Sequence, residues 1–141
     1  MTLLELTVTE SPTPEDLGRL EAGLTEHSEP FVAGPGFRPL AVLARSPEGA
    51  FLGGAYGLVN WNWLHLKLLW VSDNARSHGV GAELLDRIEH EARQRGCSQA
   101  HLDTFSYQAK PFYEQHGYEV FGTLVGYPTP EHSKFFLRKV L

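Results

Sequence analysis

The sequence predicts a single α+β domain, residues 1–141, with a mixed and mostly antiparallel central sheet of about six to seven strands and helices on both faces. Three observations carry this. Short apolar or period-two segments alternate with segments of helical period. One strand–helix–strand unit, residues 62–105, implies a parallel pair joined by a crossover helix, whereas its flanking segments follow one another through short turns and read as antiparallel. The chain has 141 residues, the length of one domain with its own core.

The elements follow in order. Leu3–Thr9 alternates apolar and polar residues and reads as a strand. Next comes a helix ending near His27, with Thr13 as N-cap, Pro14 at the first helical position and Glu15 and Asp16 at the positive end of the dipole. Leu17, Leu20 and Leu24 form its apolar stripe. The Gly- and Pro-rich stretch SEPFVAGPGFR, residues 28–38, reads as loop or broken helix. PLAVLARS and AFLGGAYGLVN are strands around a PEG turn. After a second turn at Asn60–Asn62, WLHLKLLWVS is a longer strand. Strict alternation there places His65, Lys67, Leu69 and Val71 on one face and Leu64, Leu66, Leu68 and Trp70 on the other.

Val80, Leu84, Leu85, Ile88 and Ala92 then recur at helical spacing, and Gly96 closes that helix after Arg93 and Arg95. CSQAHLDTF is a strand and YQAKPFYEQHG a short helix, with Pro111 near its start and Gly117 at its end. YEVFGTLVGY and KFFLRKVL are the last two strands. No internal repeat or low-complexity segment interrupts this order.

Composition narrows the function. The formal net charge of -5 lacks the basic footprint of a nucleic-acid binder. The single cysteine, Cys97, excludes a disulfide framework and points to a reducing cytoplasm. MTLLELTVTE has no signal-peptide pattern, and no apolar run approaches the roughly 20 residues that span a bilayer. The seven histidines show no metal-ligand spacing, so no metal is expected. Cys97 begins its strand, at the end opposite to where parallel sheets bind ligands, which argues against a Cys nucleophile.

NARSHGVGAELL, residues 74–85, places an Arg and two glycines where a helix begins. A helix N-terminus offers unpaired N–H donors and a partial positive charge, where phosphate binds readily. Arg76 adds a charged fork suited to phosphate. The dinucleotide fingerprint fails, because Gly79 and Gly81 are followed by Leu84 where a third glycine belongs, and no Gly-Lys-Ser/Thr is present. On these residues alone the loop is a helix-start turn or an anion site.

RSHGVGAELL resembles the acetyl-CoA pyrophosphate loop of the GNAT superfamily, the GCN5-related N-acetyltransferases, whose signature Gln/Arg-x-x-Gly-x-Gly/Ala follows a central strand ending in a triplet like Leu69-Trp70-Val71. AKPFYEQHGYEVFG is similar to the family's second block, and WNWLHLKLLWV and LDTFSYQAKPFYEQHGY resemble a bacterial subgroup of undefined substrate. The resemblance covers nearly the whole chain. It implies an acetyl-CoA-dependent N-acetyltransferase acting on a primary amine of a small molecule or peptide, by direct attack in a ternary complex.

It also implies residue roles. The pantetheine arm would lie between the strand carrying Leu69, Trp70 and Val71 and the strand carrying Leu102–Phe105, with the Val71 N–H polarising the acetyl carbonyl. Arg76, Ser77, His78, Gly79, Val80, Gly81 and Ala82 would wrap the pyrophosphate, and Phe112 would flank the cofactor. Tyr113 matches the tyrosine that protonates the departing thiolate. The family's usual base, a Glu four residues before the strand-ending Val, is Lys67 here, which cannot serve while protonated. Other members place a His six residues before it, which is His65; a water relay is the alternative.

Lys67 either binds an acidic group of the substrate or is simply solvated. Trp61 and Trp63 either wall a substrate or anchor their hairpin, and EPFVAGPGF lies where the family recognises its acceptor. A homodimer is an open option. Two other functions compete: a non-catalytic acyl-CoA-binding module, motivated by Lys67, and a dinucleotide enzyme, disfavoured by the failed fingerprint.

Overall fold

A computed structural model describes residues 3–32 and 37–141. It divides into two compact units, Met1–Gly34 and Pro35–Leu141. In the first, helix α1 spans Pro14–Ser28, and the Thr13 hydroxyl accepts from the Asp16 N–H at 3.1 Å, as its N-cap position requires. Residues 3–9 form no strand, contrary to their alternation. Alternation becomes a strand only where a neighbour takes up the backbone donors and acceptors, and no described strand pairs with them. Residues 33–36, the centre of the expected acceptor loop, lie outside the described residues.

The second unit is a six-stranded sheet in the order β1-β2-β3-β4-β6-β5. The strands are β1 (Arg38–Arg45), β2 (Phe51–Asn60), β3 (Trp63–Val71), β4 (Gln99–Phe105), β5 (Glu119–Val125) and β6 (Ser133–Val140). Between β3 and β4 the chain crosses over through α2 (Val80–Gln94), and α3 (Lys110–Gln115) joins β4 to β5. Among the described strands only β3 and β4 run parallel; every other pair is antiparallel. Helix α2 lays Leu84, Leu85, Ile88 and Ala92 on the sheet against Leu64, Leu66, Ala100 and Leu102. Its C-terminus is closed by Gly96 at φ 88°, with Gly96 N–H donating to the Arg93 carbonyl and Cys97 N–H to the Ala92 carbonyl.

Two irregularities in β3 shape the site. Gly57 of β2 faces Leu66 while Tyr56 faces Leu68, so Lys67 is an extra residue, a β-bulge. The bulge reverses the side-chain parity: Leu64 and Leu66 are buried before it, whereas after it Leu69 and Val71 turn toward the core and Leu68 and Trp70 are exposed. The single face expected for His65, Lys67, Leu69 and Val71 is therefore corrected, with His65 on the opposite face from Leu69 and Val71. The second irregularity is a splay. The parallel pair holds for only three positions, Trp63 with Gln99, Leu64 with Ala100 and His65 with His101. Asn62 and Ser98 fasten that end, through a side-chain bond of 3.0 Å and a backbone bond of 2.9 Å. Beyond it β3 and β4 part.

Candidate active site

The parting strands open a cleft of about 670 Å³. Its walls are Leu69, Trp70 and Val71 from β3, Asp103 and Thr104 from β4, and Ala109, Phe112 and Tyr113 from the start of α3. Lys67 at the bulge, Arg76, Gly81 and Gln108 also line it. Each separated strand keeps a partner on its outer side only, β2 for β3 and β6 for β4, so the inner edges carry unpaired backbone groups. A slender chain with alternating amide donors and acceptors is what such a gap accommodates.

At the end of β3 the cleft meets a second hollow of about 250 Å³, sharing Val71, Arg76, Gly81 and Phe112 with it and lined further by Ser77, Gly79, Val80 and Ala82. Gly79, at φ 76°, is the N-cap of α2, so Val80, Gly81 and Ala82 occupy its first turn, where N–H groups have no intrahelical acceptor. Ser77 also has a positive φ of 67°. No backbone acceptor among the described residues takes the N–H groups of Ser77, His78 or Gly79. Consecutive open donors at a helix N-terminus form an anion-binding concavity. A Cβ at Gly81 would sit 3.7 Å from the Phe112 ring and 3.8 Å from Val71, so the glycine keeps the passage between the two hollows wide. Arg76 stands at this junction, but its guanidinium is already engaged: Nε donates to the Val71 carbonyl at 3.0 Å and Nη1 pairs with Asp73 at 2.9 Å. It pins the strand end to the loop as well as presenting charge.

Tyr113 lies in the cleft wall, 8% exposed, edge-on to Phe112 and Tyr118. Its hydroxyl has no hydrogen-bond partner among the described residues and is not sealed from solvent. Burial, and then the Asp103 carboxylate, push the phenol up to about 12. Tyr113 is therefore a protonated donor throughout the neutral range. Helix α3 is short, and Pro111 at its start and the chain reversal at Gly117 fix its position.

His65 is not brought into this cleft. It stacks on its cross-strand partner His101, ring centroids 4.2 Å apart, and lines a separate hollow with Phe37, Asn60, Trp61 and Trp63. Burial and then neighbouring Lys67 hold its imidazole below the usual value of 6.5, partly opposed by Asp103. Asp103 and Gln108 were missed by sequence reasoning. Asp103 lines the cleft and lies 3.8 Å from Lys134. Gln108 Oε1 accepts from the Phe105 N–H at 2.9 Å and the Thr104 hydroxyl at 3.2 Å, which ends β4 at the cleft floor. The available signal was positional, since both sit at the C-terminal end of a parallel strand, where such sheets bind ligands. Cys97 is buried in the core before β4 and takes no part in the cleft.

A splayed parallel pair leading to an anion-ready helix start fits a long, slender, phosphate-bearing ligand, as the resemblance to the GNAT superfamily implies. The comparisons with known proteins agree. A family model described as "Acetyltransferase (GNAT) family" matches residues 5–118. Over 107 residues the chain is 40% identical to the blasticidin-S acetyltransferase of Streptomyces morookaense, spanning 73% of this chain and 79% of that protein. Over 83 residues it is 37% identical to the aminoglycoside N(6')-acetyltransferase type 1 of Klebsiella aerogenes, spanning 52% and 55%. A solved acetyltransferase of Bacillus cereus superposes with a TM-score of 0.86 at 29% identity, covering 96% of this chain and 98% of that one. The chain belongs to the GNAT acetyltransferase family. It is an acyltransferase whose co-substrate is acetyl-CoA. No helix among the described residues is long and apolar enough to cross a membrane.

Proposed function

We propose that the chain acetylates the primary amine of a small molecule or peptide by direct attack on acetyl-CoA within a ternary complex. The observation that carries this is the cleft between β3 and β4, which joins the Tyr113 hydroxyl to the open N–H donors of the α2 start in one passage. The relatives named for blasticidin-S and for aminoglycosides support a small-molecule acceptor. Acetyl-CoA supplies the thioester. Ser77 and Gly79 to Ala82 hold its pyrophosphate, whereas His78 is exposed and does not line that hollow, and the inner edge of Leu69–Val71 holds its pantetheine arm. The Val71 N–H points the acetyl carbonyl and steadies the charge that grows on its oxygen.

The neutral amine nitrogen bonds to the carbonyl carbon, the C–S bond breaks, and the proton shed by the nitrogen leaves through water, the relay that the placement of His65 outside the cleft favours. Tyr113 donates a hydrogen bond to the departing sulfur. A free thiol titrates near 8.5, well below this phenol, so Tyr113 keeps its proton and stabilises the growing thiolate through that hydrogen bond, and the released thiolate takes its proton from water.

The test starts with calorimetric titration of acetyl-CoA, with CoA and NAD as controls. Micromolar acetyl-CoA binding is expected; binding of NAD alone overturns the assignment. Tyr113→Phe is then expected to lower kcat by about a hundredfold or more, the scale of removing one preorganised donor to developing charge, with acetyl-CoA affinity nearly unchanged. An unaltered kcat removes Tyr113 from the chemistry.

A further inference from the structure

The hollow beside the β2–β3 hairpin, about 430 Å³ and lined by Phe37, Asn60, Trp61, Trp63, His65 and His101, is not used by acetyl-CoA in the account above. We propose that it binds a planar, cationic nitrogen group of the acceptor, an amidinium, guanidinium or protonated heteroaromatic amine. That this group belongs to the acceptor rests on the acetyl-transfer proposal; the site itself rests on its own geometry.

The first observation is Trp61. Asn60 pairs with Trp63, so Trp61 and Asn62 form a two-residue hairpin loop. Of these two only Trp61 has a positive φ, 53°. The first position of such loops favours Gly, Asn or Asp, and a bulky residue there is a genuine backbone outlier. The chain places its largest side chain where local conformation least favours it. The indole is half-exposed and borders the hollow, so the backbone strain coincides with an aromatic wall rather than with core packing.

The second observation is the composition of the other walls. Trp63 meets His101 edge-on at 5.6 Å, and His101 stacks on His65. Rings on several sides attract a flat group and, through their negative faces, a cation. Burial holds both imidazoles below 6.5, and each is lowered further by a neighbour, so at neutral pH neither repels a cation. Lys67 is the one positive neighbour acting on His65, and Asp103 opposes it.

The third observation is the connection to the cleft. Asp103 follows His101 by two strand residues, on the same face and on the order of 7 Å away. Its carboxylate acts on His65 and His101 and also lines the cleft. An acceptor whose amine reaches the cleft would pass Asp103 and leave its other end among the rings. Asn60 adds an amide at the hollow whose oxygen is buried with no hydrogen-bond partner among the described residues, so rotating that amide costs no existing bond on the oxygen.

Benzamidine, a planar cation, and benzamide, its neutral counterpart, are the probes. Binding is read by indole fluorescence and calorimetry on the full chain, with acetyl-CoA titrated in parallel. Saturable binding of benzamidine is expected, weaker by about fivefold or more in Trp61→Gly, the effect of losing one aromatic–cation contact. Because glycine relieves the strained φ, the Tm of this variant is expected to stay level or rise. Trp61→Asn, which also tolerates a positive φ, is expected to behave alike. Unsaturable or unaltered benzamidine binding in the variants overturns the site. A Tm that falls by several degrees in both variants overturns it too, showing the indole to be a hairpin anchor. Equal affinity for benzamide overturns the preference for a cation. If acetyl-CoA binds but benzamidine does not, only the hollow is lost; if benzamidine binds and acetyl-CoA does not, the acetyl-transfer proposal fails and the site stands.

Discussion

Gly81 shows how one missing side chain shapes the site. A methyl added there meets the Phe112 ring and Val71 at ordinary van der Waals distance, so it strains nothing, yet it narrows the passage between the cleft and the loop. Gly81 lies in the first turn of α2, where alanine is the better helix former by roughly 0.5–1 kcal/mol. Gly81→Ala should therefore leave Tm level or raise it slightly and, since the family signature accepts Ala at this position, leave acetyl-CoA affinity nearly unchanged; calorimetry and thermal melts on the same preparation separate the two effects. A marked loss of affinity would show that the passage here is too narrow for a methyl. The glycines, Arg76 and Tyr113 were all legible in the sequence because they belong to contiguous motifs. Asp103 was not, because its importance comes from acting at once on Tyr113, His65 and His101, three residues from three different segments. The same pairing gives a pH dependence. A His65 held below 6.5 is neutral in its hollow and gains a positive charge as pH drops through that lowered value, so kcat/KM for a cationic acceptor should fall there, and His65→Gln should abolish this acid limb. An acid limb that survives unchanged assigns it to another group. No alkaline limb from Tyr113 is expected until pH nears its value of about 12.

At the scale of elements, helix caps and turns were readable because each is a local rule: Thr13 capping α1 and Gly96 closing α2 stand where the residue types place them. The bulge in β3 was not readable. Leu66, Leu68 and Leu69 are all apolar, so the pattern stays plausible in either register, and the parity change is settled only by pairing with β2. Gly57 accompanies that bulge. A Cβ there would lie 2.5 Å from the His65 carbonyl oxygen and 3.2 Å from the Leu64 side chain, so the β2–β3 ladder closes tightly only over a glycine. Because the obstacle is backbone, Gly57→Ala must push the strands apart. A loss of about 1–3 kcal/mol is expected, the usual cost of overpacking, together with weaker acetyl-CoA binding, since the bulge turns Leu69 and Val71 into the cleft wall. Denaturant melts and calorimetry check both; a stable variant with normal affinity shows that the ladder relaxes without disturbing the cleft.

At the scale of the molecule, strand order and the splayed pair position the site; the strand–helix–strand unit of 62–105 announced the parallel crossover, whereas the gap beyond His65 and His101 was implied only by the family resemblance. What local patterning does not reveal is how α2, the start of β5 and β6 are tied together behind the cleft. Glu89 of α2 is 2% exposed, accepts from the Tyr118 hydroxyl at 2.8 Å and pairs with Lys139 of β6 at 2.8 Å; Arg93 approaches only to 4.0 Å. Burial, and then Glu89, hold the Tyr118 phenol well above its ordinary value, so it remains a donor to the carboxylate. The partners are 29 and 50 residues away in sequence, beyond any local pattern. Removing one member of a buried pair strands the other charge, at a cost of about 3–5 kcal/mol, whereas removing both can be nearly neutral. Lys139→Met should therefore lower Tm by roughly 10 °C or more, on the usual scaling for a domain of this size. Glu89→Leu combined with Lys139→Met should regain much of that loss, short of the contribution of the Tyr118 hydrogen bond, about 1 kcal/mol. A double-mutant cycle on thermal and denaturant melts gives the coupling. Additive losses would mean that Lys139 stabilises β6 through its contacts with Gly117 and the Tyr118 ring rather than through Glu89. Strong coupling would make this ion pair the fastening that holds α2, and with it the phosphate-facing start of that helix, against β6.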